Sequence, residues 1–262
     1  MRLTVTALIS LTILLAGCSE GTEPMTHPED IPRLRTGRAP AEPARTVVEP
    51  AGRREPPPAP RPAVAEPTPP AQDVVEGDQR SPDEWVARLV TDVGNIDIEV
   101  HRDWAPHGAD RFYTLVREGF FDDVAFFRVI EGFMAQGGIH GDPEVAARWR
   151  NRRIPDDPNA GHSNSRGMVT FAKGGPNTRT TQFFINLVDN ARLDAMGFPP
   201  FGQVRDASMA NVGRIHSGYG ESQPRGQGPV QGRLQAEGNA YLRADFPNLT
   251  YIRSASVLEG GE

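Results

Sequence analysis

The sequence predicts a mainly β domain, an antiparallel barrel or sandwich, preceded by an extended segment that cannot fold. Three observations carry this. From Val86 onward apolar and polar residues alternate with period two, the signature of half-buried strands. Short apolar runs then recur between Gly and Pro punctuation, with only two convincing helical patterns among them. Finally, 15 of the 25 prolines lie between Pro24 and Pro82, so the low hydrophobic content of 37% reflects that stretch and not the part after it.

In chain order, Val86 to Thr91, a turn at Asp92 to Asn95, and Ile96 to Val100 read as a β-hairpin. Asp103 and Pro106 announce a helix with Ala109, Phe112, Leu115 and Val116 on one face, ended by Gly119. Short strands are expected at Phe126 to Ile130, Met168 to Ala172, Gln182 to Leu187, Phe201 to Val204 and Tyr251 to Val257. A second helix is expected from Ser208 to about His216, capped by Asp206. Gly138 to Ser165, with Arg148-Trp149-Arg150-Asn151-Arg152-Arg153, reads as a solvated loop. Gly218 to Phe246 looks like an insertion whose Leu234, Tyr241, Leu242 and Phe246 stand at helical spacing and serve packing.

Composition excludes several functions. A net charge of −6 spread over both signs lacks the basic stripe that neutralises phosphates, so no nucleic-acid partner is expected. One Cys rules out a disulfide framework and any Cys-based zinc site. The six histidines (His27, His101, His107, His140, His162 and His216) show no ligand spacing, so no metal site is expected. The basic residues are all Arg except Lys173.

The N-terminal part is an address and a tether. Residues 1–17 have the form of a signal peptide: Met1-Arg2, then apolar, Ser and Thr residues from Leu3 to Leu15, too short to span a membrane. Leu15-Ala16-Gly17-Cys18 resembles the lipobox of bacterial lipoproteins, which implies a lipid on Cys18 and anchoring to the bilayer. Ser19, in place of an inner-membrane-retaining Asp, implies the outer membrane, facing the periplasm. Residues 18–82, with Pro56-Pro57-Pro58 and Pro67-Thr68-Pro69-Pro70, are expected to be a disordered spacer. At about 3.1 Å per residue, its full reach is on the order of 200 Å. Residues 83–262 form the folded domain.

Two segments carry the function. They are Phe126-Phe127-Arg128-Val129-Ile130-Glu131-Gly132-Phe133-Met134-Ala135-Gln136-Gly137-Gly138 and Phe171-Ala172-Lys173-Gly174-Gly175-Pro176-Asn177-Thr178-Arg179-Thr180-Thr181-Gln182-Phe183-Phe184-Ile185-Asn186. Arg128 interrupts an otherwise buried-looking strand. Taken alone, it reads equally as a surface arginine on an edge strand, one paired with Glu131, or a functional group. Together and in this order, the two segments resemble the cyclophilin family of peptidyl-prolyl cis-trans isomerases, over roughly residues 85 to 257. The resemblance implies a closed eight-stranded antiparallel barrel capped by two helices, with a substrate groove on its outer face.

It also implies site residues. Arg128 matches the catalytic arginine; Phe133, Met134, Phe184 and Leu193 would line a slot for the proline ring. Gln136 would orient the arginine and bond substrate, and Gln182 would lie near the groove. Ala172 and Lys173 would offer backbone groups to an extended peptide. Rotation about an Xaa-Pro bond breaks no σ bond, so no nucleophile, metal or other cofactor is required, only tighter binding of the twisted amide. The expected partners are proline-containing polypeptides of the cell envelope, and the expected role is assistance to their folding. The alternative is a tethered peptide-binding module or holdase that has lost turnover. The sequence departs from the better-known family pattern at Arg192, where many members have a tryptophan bordering the slot, and at Phe127, often a histidine. A histidine near the slot is missing after Leu193, where Phe198 is available as a substitute.

Overall fold

The computed structural model describes residues 76–258. The signal peptide, Cys18 and the tether up to residue 75 lie outside the described residues. The expected hairpin forms from β1 (Glu84–Thr91) and β2 (Gly94–His101), paired antiparallel from Glu84↔His101 to Thr91↔Gly94. Ala87, Leu89, Ile96, Ile98 and Val100 point inward and are fully buried, as the alternation requires.

α1 (Pro106–Arg117) buries Ala109, Phe112, Leu115 and Val116. The Phe112 ring packs against Phe121, Phe183 and Phe201 at centroid distances of 5.2, 5.6 and 4.9 Å. Its N-terminus is not capped by Asp103. Asp157 instead reaches in from a distant loop and accepts hydrogen bonds from His107 N (2.8 Å) and Gly108 N (2.9 Å). A carboxylate there serves two free amides and faces the positive end of the helix dipole.

The remaining strands are β3 (Val124–Ala125), β4 (Arg128–Ile130), β5 (Met134–Gly137), β6 (Met168–Phe171), β7 (Phe183–Asn186), β8 (Pro200–Val204) and β9 (Tyr251–Leu258). All pairings are antiparallel, in the order β3-β9-β1-β2-β8-β6-β7-β5-β4. The two outer members of that order, β3 and β4, are separated in the chain only by Phe126 and Phe127. The sheet therefore curls until one bent segment joins its two ends. Counted as one bent strand, β3 and β4 bring the nine to the expected eight.

Several expectations need correction. The strand expected at Phe126 to Ile130 is broken at Phe126 and Phe127, where the chain passes from pairing with β9 through β3 to pairing with β5 through β4; Phe126 buries in the main core and Phe127 in a second cluster. β5 was not among the expected strands. The helix expected from Ser208 to His216 shrinks to a 3-10 turn at Asp206–Ser208 and one turn of helix, α3 (Met209–Val212), which no side chain caps. The Arg-rich stretch is not simply a solvated loop. It holds α2 (Pro143–Trp149), capped by Asp142 accepting from Glu144 N at 2.8 Å. Trp149 is buried, with the guanidinium groups of Arg111 and Arg152 over its ring at 5.3 and 4.4 Å.

The second long helix is α4 (Gln231–Asp245), within the insertion. Leu234, Tyr241, Leu242 and Phe246 bury there with Phe127, Ile139, Leu249 and Tyr251, which bears out their packing role. The helix kinks at Gly238, where φ is +61° and a Cβ would stand 2.0 Å from the Gly141 carbonyl oxygen. Only glycine satisfies both conditions. Asn239 then donates its backbone N–H to Gly141 O at 2.8 Å, fastening α4 beside α2.

Packed chain also begins before residue 83. The Asp78 side chain, 2% exposed, receives Arg111 Nε at 2.8 Å; Gln79 N donates to Thr114 Oγ1 and Ser81 N to Asp110 Oδ1. Breaking one side of such a buried pair strands the other charge, at about 3–5 kcal/mol. A chain starting at residue 83 should therefore unfold in urea at a clearly lower midpoint than one starting at residue 76, and Asp78→Ala in the full chain should reproduce most of that loss. Equal midpoints would show that these contacts contribute nothing.

Candidate active site

The register of four strands sorts the two faces of the sheet. Across β4, β5, β7 and β6, Val129, Ala135, Ile185 and Val169 stand in one cross-strand row. All four point inward, none more than 3% exposed, and belong to the main core. One residue along, Arg128, Gln136, Phe184 and Thr170 form the neighbouring row on the outer face. Period two thus explains the charge inside an apolar strand: Arg128 looks out of the barrel while Val129 looks in.

On that outer face Met134, Phe184 and Leu193 form an apolar cluster separate from the core, with Ile130, Phe133, Ala172 and Phe198 against it. The cluster floors a cleft of about 910 Å³, ample for a peptide segment. All nine residues expected at the groove line this cleft: Arg128, Phe133, Met134, Gln136, Ala172, Lys173, Gln182, Phe184 and Leu193. Phe198 joins them, tilted against Phe184 with ring centroids 5.9 Å apart. Arg192 lays its guanidinium 4.6 Å from the Phe133 ring centroid, a cation over one wall of the slot.

Polar groups form a chain along the cleft. Gln182 Oε1 accepts from Gln136 Nε2 (2.9 Å), and Gln136 Oε1 accepts from Arg128 Nη1 (2.8 Å). Arg128 Nη1 also lies 3.8 Å from the Met134 sulfur. Arg128 does not pair with Glu131, which accepts from Ser217 Oγ instead. Its partner is Glu221, whose two carboxylate oxygens accept from Nε (2.6 Å) and Nη2 (2.7 Å). Of the five guanidinium hydrogens, Glu221 takes two and Gln136 one. The two hydrogens left are one on Nη1, which also meets the Met134 sulfur, and one on Nη2; the side chain is 19% exposed and lines the cleft.

The backbone contribution is narrower than expected. Ala172 N donates to Gln182 O at 2.9 Å, so that amide is occupied. No hydrogen bond from another described residue reaches the Lys173 N–H or C=O, which leaves both to an extended chain. The Lys173 side chain turns aside to Asp156 at 3.3 Å and lies 5.6 Å from the Phe198 ring centroid.

A buried amide network, invisible in the sequence, fixes the slot walls. Asn190 Nδ2 donates to Phe133 O (2.9 Å) and Asn186 Oδ1 (2.8 Å), while Asn186 Nδ2 reaches Asn164 Oδ1 and Met168 O. Asn164 Nδ2 in turn holds Asp194 Oδ1 and Phe198 O. Burial opposes ionisation of Asp194, but hydrogen bonds from Ser163 Oγ and from the Asn164 side chain and backbone outweigh it and hold the carboxyl below the usual range. The only trace in the sequence is Asn186 closing the apolar run Phe183-Phe184-Ile185. Among the described residues no group of three His, Cys, Asp or Glu side chains could hold a metal ion.

Comparison with known proteins agrees with this geometry. The family model described as cyclophilin type peptidyl-prolyl cis-trans isomerase/CLD matches residues 86–232. The chain is 39% identical over 124 residues to a peptidyl-prolyl cis-trans isomerase-like 1 of Rhizopus delemar, covering 45% of this chain and 72% of that protein. It is 39% identical over 108 residues to peptidyl-prolyl cis-trans isomerase B of Escherichia coli, covering 41% and 65%. Among solved structures, a Cryptosporidium parvum cyclophilin superposes with a TM-score of 0.50 at 20% identity, covering 68% of this chain and 99% of its own, which supports the fold. The barrel, the outward row through Arg128 and the match over residues 86–232 converge: this chain belongs to the cyclophilin-type peptidyl-prolyl cis-trans isomerase family.

Proposed function

We propose that this chain isomerises Xaa-Pro bonds in polypeptides of the cell envelope, assisting their folding, with Arg128 as the catalytic residue. The activity is that of the family. One observation carries the assignment to Arg128: the cross-strand row that sets its guanidinium beside the apolar cluster of Met134, Phe184 and Leu193.

The proline ring enters the slot formed by Phe133, Met134, Phe184 and Leu193, and the chain beyond it runs along the free backbone groups of Lys173. Twisting the amide localises a lone pair on the proline nitrogen and cancels its resonance. A held guanidinium with N–H groups to spare donates to that nitrogen, or to the carbonyl oxygen as it swings, and the bond strengthens as the amide leaves planarity. Gln136 keeps the guanidinium in the row. A gain of about 3–4 kcal/mol in the twisted state corresponds to two to three powers of ten in rate.

Location rests on the sequence alone. The lipobox-like Leu15-Ala16-Gly17-Cys18 supports lipidation of Cys18, and the Pro-rich segment supports a tether holding the domain clear of an outer-membrane surface.

In a protease-coupled assay on a short Xaa-Pro peptide, Arg128→Ala should lower kcat/KM by about two powers of ten or more, with the fold intact. Equal rates from both proteins would end the assignment of catalysis to Arg128, and no turnover by either would leave a peptide-binding module. Because the Arg128 hydrogen bond holds the Glu221 carboxyl below its usual range, the pair stays intact and activity should be flat from about pH 6 to 9; a titration near neutrality would point to a different catalytic group. On fractionation of cells, Cys18→Ser should move the protein from the membrane to the soluble envelope fraction, whereas continued membrane association would refute the anchor.

A further inference from the structure

The second wall of the cleft comes from the insertion between α3 and α4, through Glu221 to Arg225 and Val230 to Gly232. We propose that Glu221, delivered by this wall, is a positioning residue for the isomerisation: it locks the Arg128 guanidinium in the plane from which its free N–H groups face the twisted amide. The proposal rests on Arg128 being the catalytic residue and adds a second group that acts through it.

The geometry of the pair is the first argument. Glu221 engages the Nε–Nη2 edge of the guanidinium with two parallel hydrogen bonds of 2.6 and 2.7 Å. A two-point fork of this kind fixes the plane of the guanidinium as well as its position, which the single bond from Gln136 cannot do. Arginine carries a long stem with considerable rotamer freedom, and a donor that must meet a transition state loses rate when it wanders. With both partners in place, the guanidinium is held on two sides, leaving one Nη2 hydrogen and one Nη1 hydrogen beside the Met134 sulfur.

The second argument is that the carboxylate is itself held. Glu221 Oε1 also accepts from Ser222 N at 2.8 Å, and Glu221 O accepts from Gly228 N at 2.8 Å. Ser222 and Gly228 form a parallel bridge, and Val230 N donates to Tyr241 Oη at 3.0 Å, tying the loop to α4. The turn closes so tightly on Glu221 that a Cβ on Gly226 would stand 2.2 Å from its carbonyl oxygen and 2.7 Å from its Cβ. An ordinary surface ion pair has no such scaffold. The Arg128 hydrogen bond, opposed by burial and aided by the charges of Arg128 and Arg225, keeps the Glu221 carboxyl below its usual range, so it is ionised whenever the enzyme works.

The test is a mutant cycle read by NMR exchange on an Xaa-Pro peptide, which separates turnover at saturation from peptide affinity. Glu221→Ala should lower kcat about tenfold while affinity, set by the apolar slot, changes less than about twofold. Glu221→Gln, which can keep only one of the two acceptors in register, should fall between. Gly226→Ala, which displaces the carboxylate without removing it, should resemble Glu221→Ala. In an Arg128→Ala background, removing Glu221 should cost nothing further. Unchanged kcat in a folded Glu221→Ala protein would overturn the proposal. So would an equal fold-loss with and without Arg128, because that would mark a merely structural role. A wild-type protein without turnover would instead overturn the isomerase reading, and this proposal with it.

Discussion

A guanidinium and a hydrophobic slot are incompatible neighbours unless something holds the charge at the boundary of the apolar surface without letting it sink in or swing away. Here that constraint is met by strand alternation. Val129 and Ala135 anchor β4 and β5 to the core, and the same register that buries them turns Arg128 and Gln136 outward as a facing pair. A slip of one residue would bury the arginine and expose the valine. Core burial therefore enforces the geometry of the site, and the strength of the barrel sets how firmly the arginine is aimed.

Two further layers build on that register. Beneath the slot, the amides of Asn164, Asn186 and Asn190 and the carboxylate of Asp194 satisfy one another and the carbonyls of Phe133 and Phe198. Fully paired networks of this kind rigidify what they join, so the apolar walls are held by polar contacts behind them. Above the slot, the inserted stretch after α3 supplies a wall, and Leu234, Tyr241 and Leu242 of α4 fasten it to Phe127, Ile139 and Tyr251 in a second apolar cluster. The cleft is thus shared between the barrel, which carries Arg128 and the apolar cluster, and the insertion, which shapes one side of it.

Much of this was legible in the residues. The hairpin, α1 and the long apolar strands announce themselves by period, because burial on one face leaves a direct imprint on the order of residues. Eight of the nine groove residues lie in two long motifs and Leu193 follows the second, so the family resemblance and not periodicity places them; Phe133 or Phe184 alone would read as core. What escaped was non-local. Asp157 caps a helix about fifty residues before it, and Glu221 meets an arginine 93 residues away. Neither partnership leaves a local pattern. β5 was hidden because Gly132 and the turn before it look like loop chemistry, although its register with β4 creates the site. Composition alone leaves Asp78 in the tether, whereas its buried ion pair with Arg111 decides where packed chain begins.

The central claim is that the catalytic arginine and the proline slot act on the same bond. The most direct measurement is a crystal structure of the protein with a bound Xaa-Pro peptide. The account predicts the pyrrolidine ring among Phe133, Met134, Phe184 and Leu193, with an Arg128 Nη atom within hydrogen-bonding distance of the proline nitrogen or of the carbonyl before it. A peptide whose proline lies elsewhere in the cleft, or whose amide stands out of reach of Arg128, would contradict it.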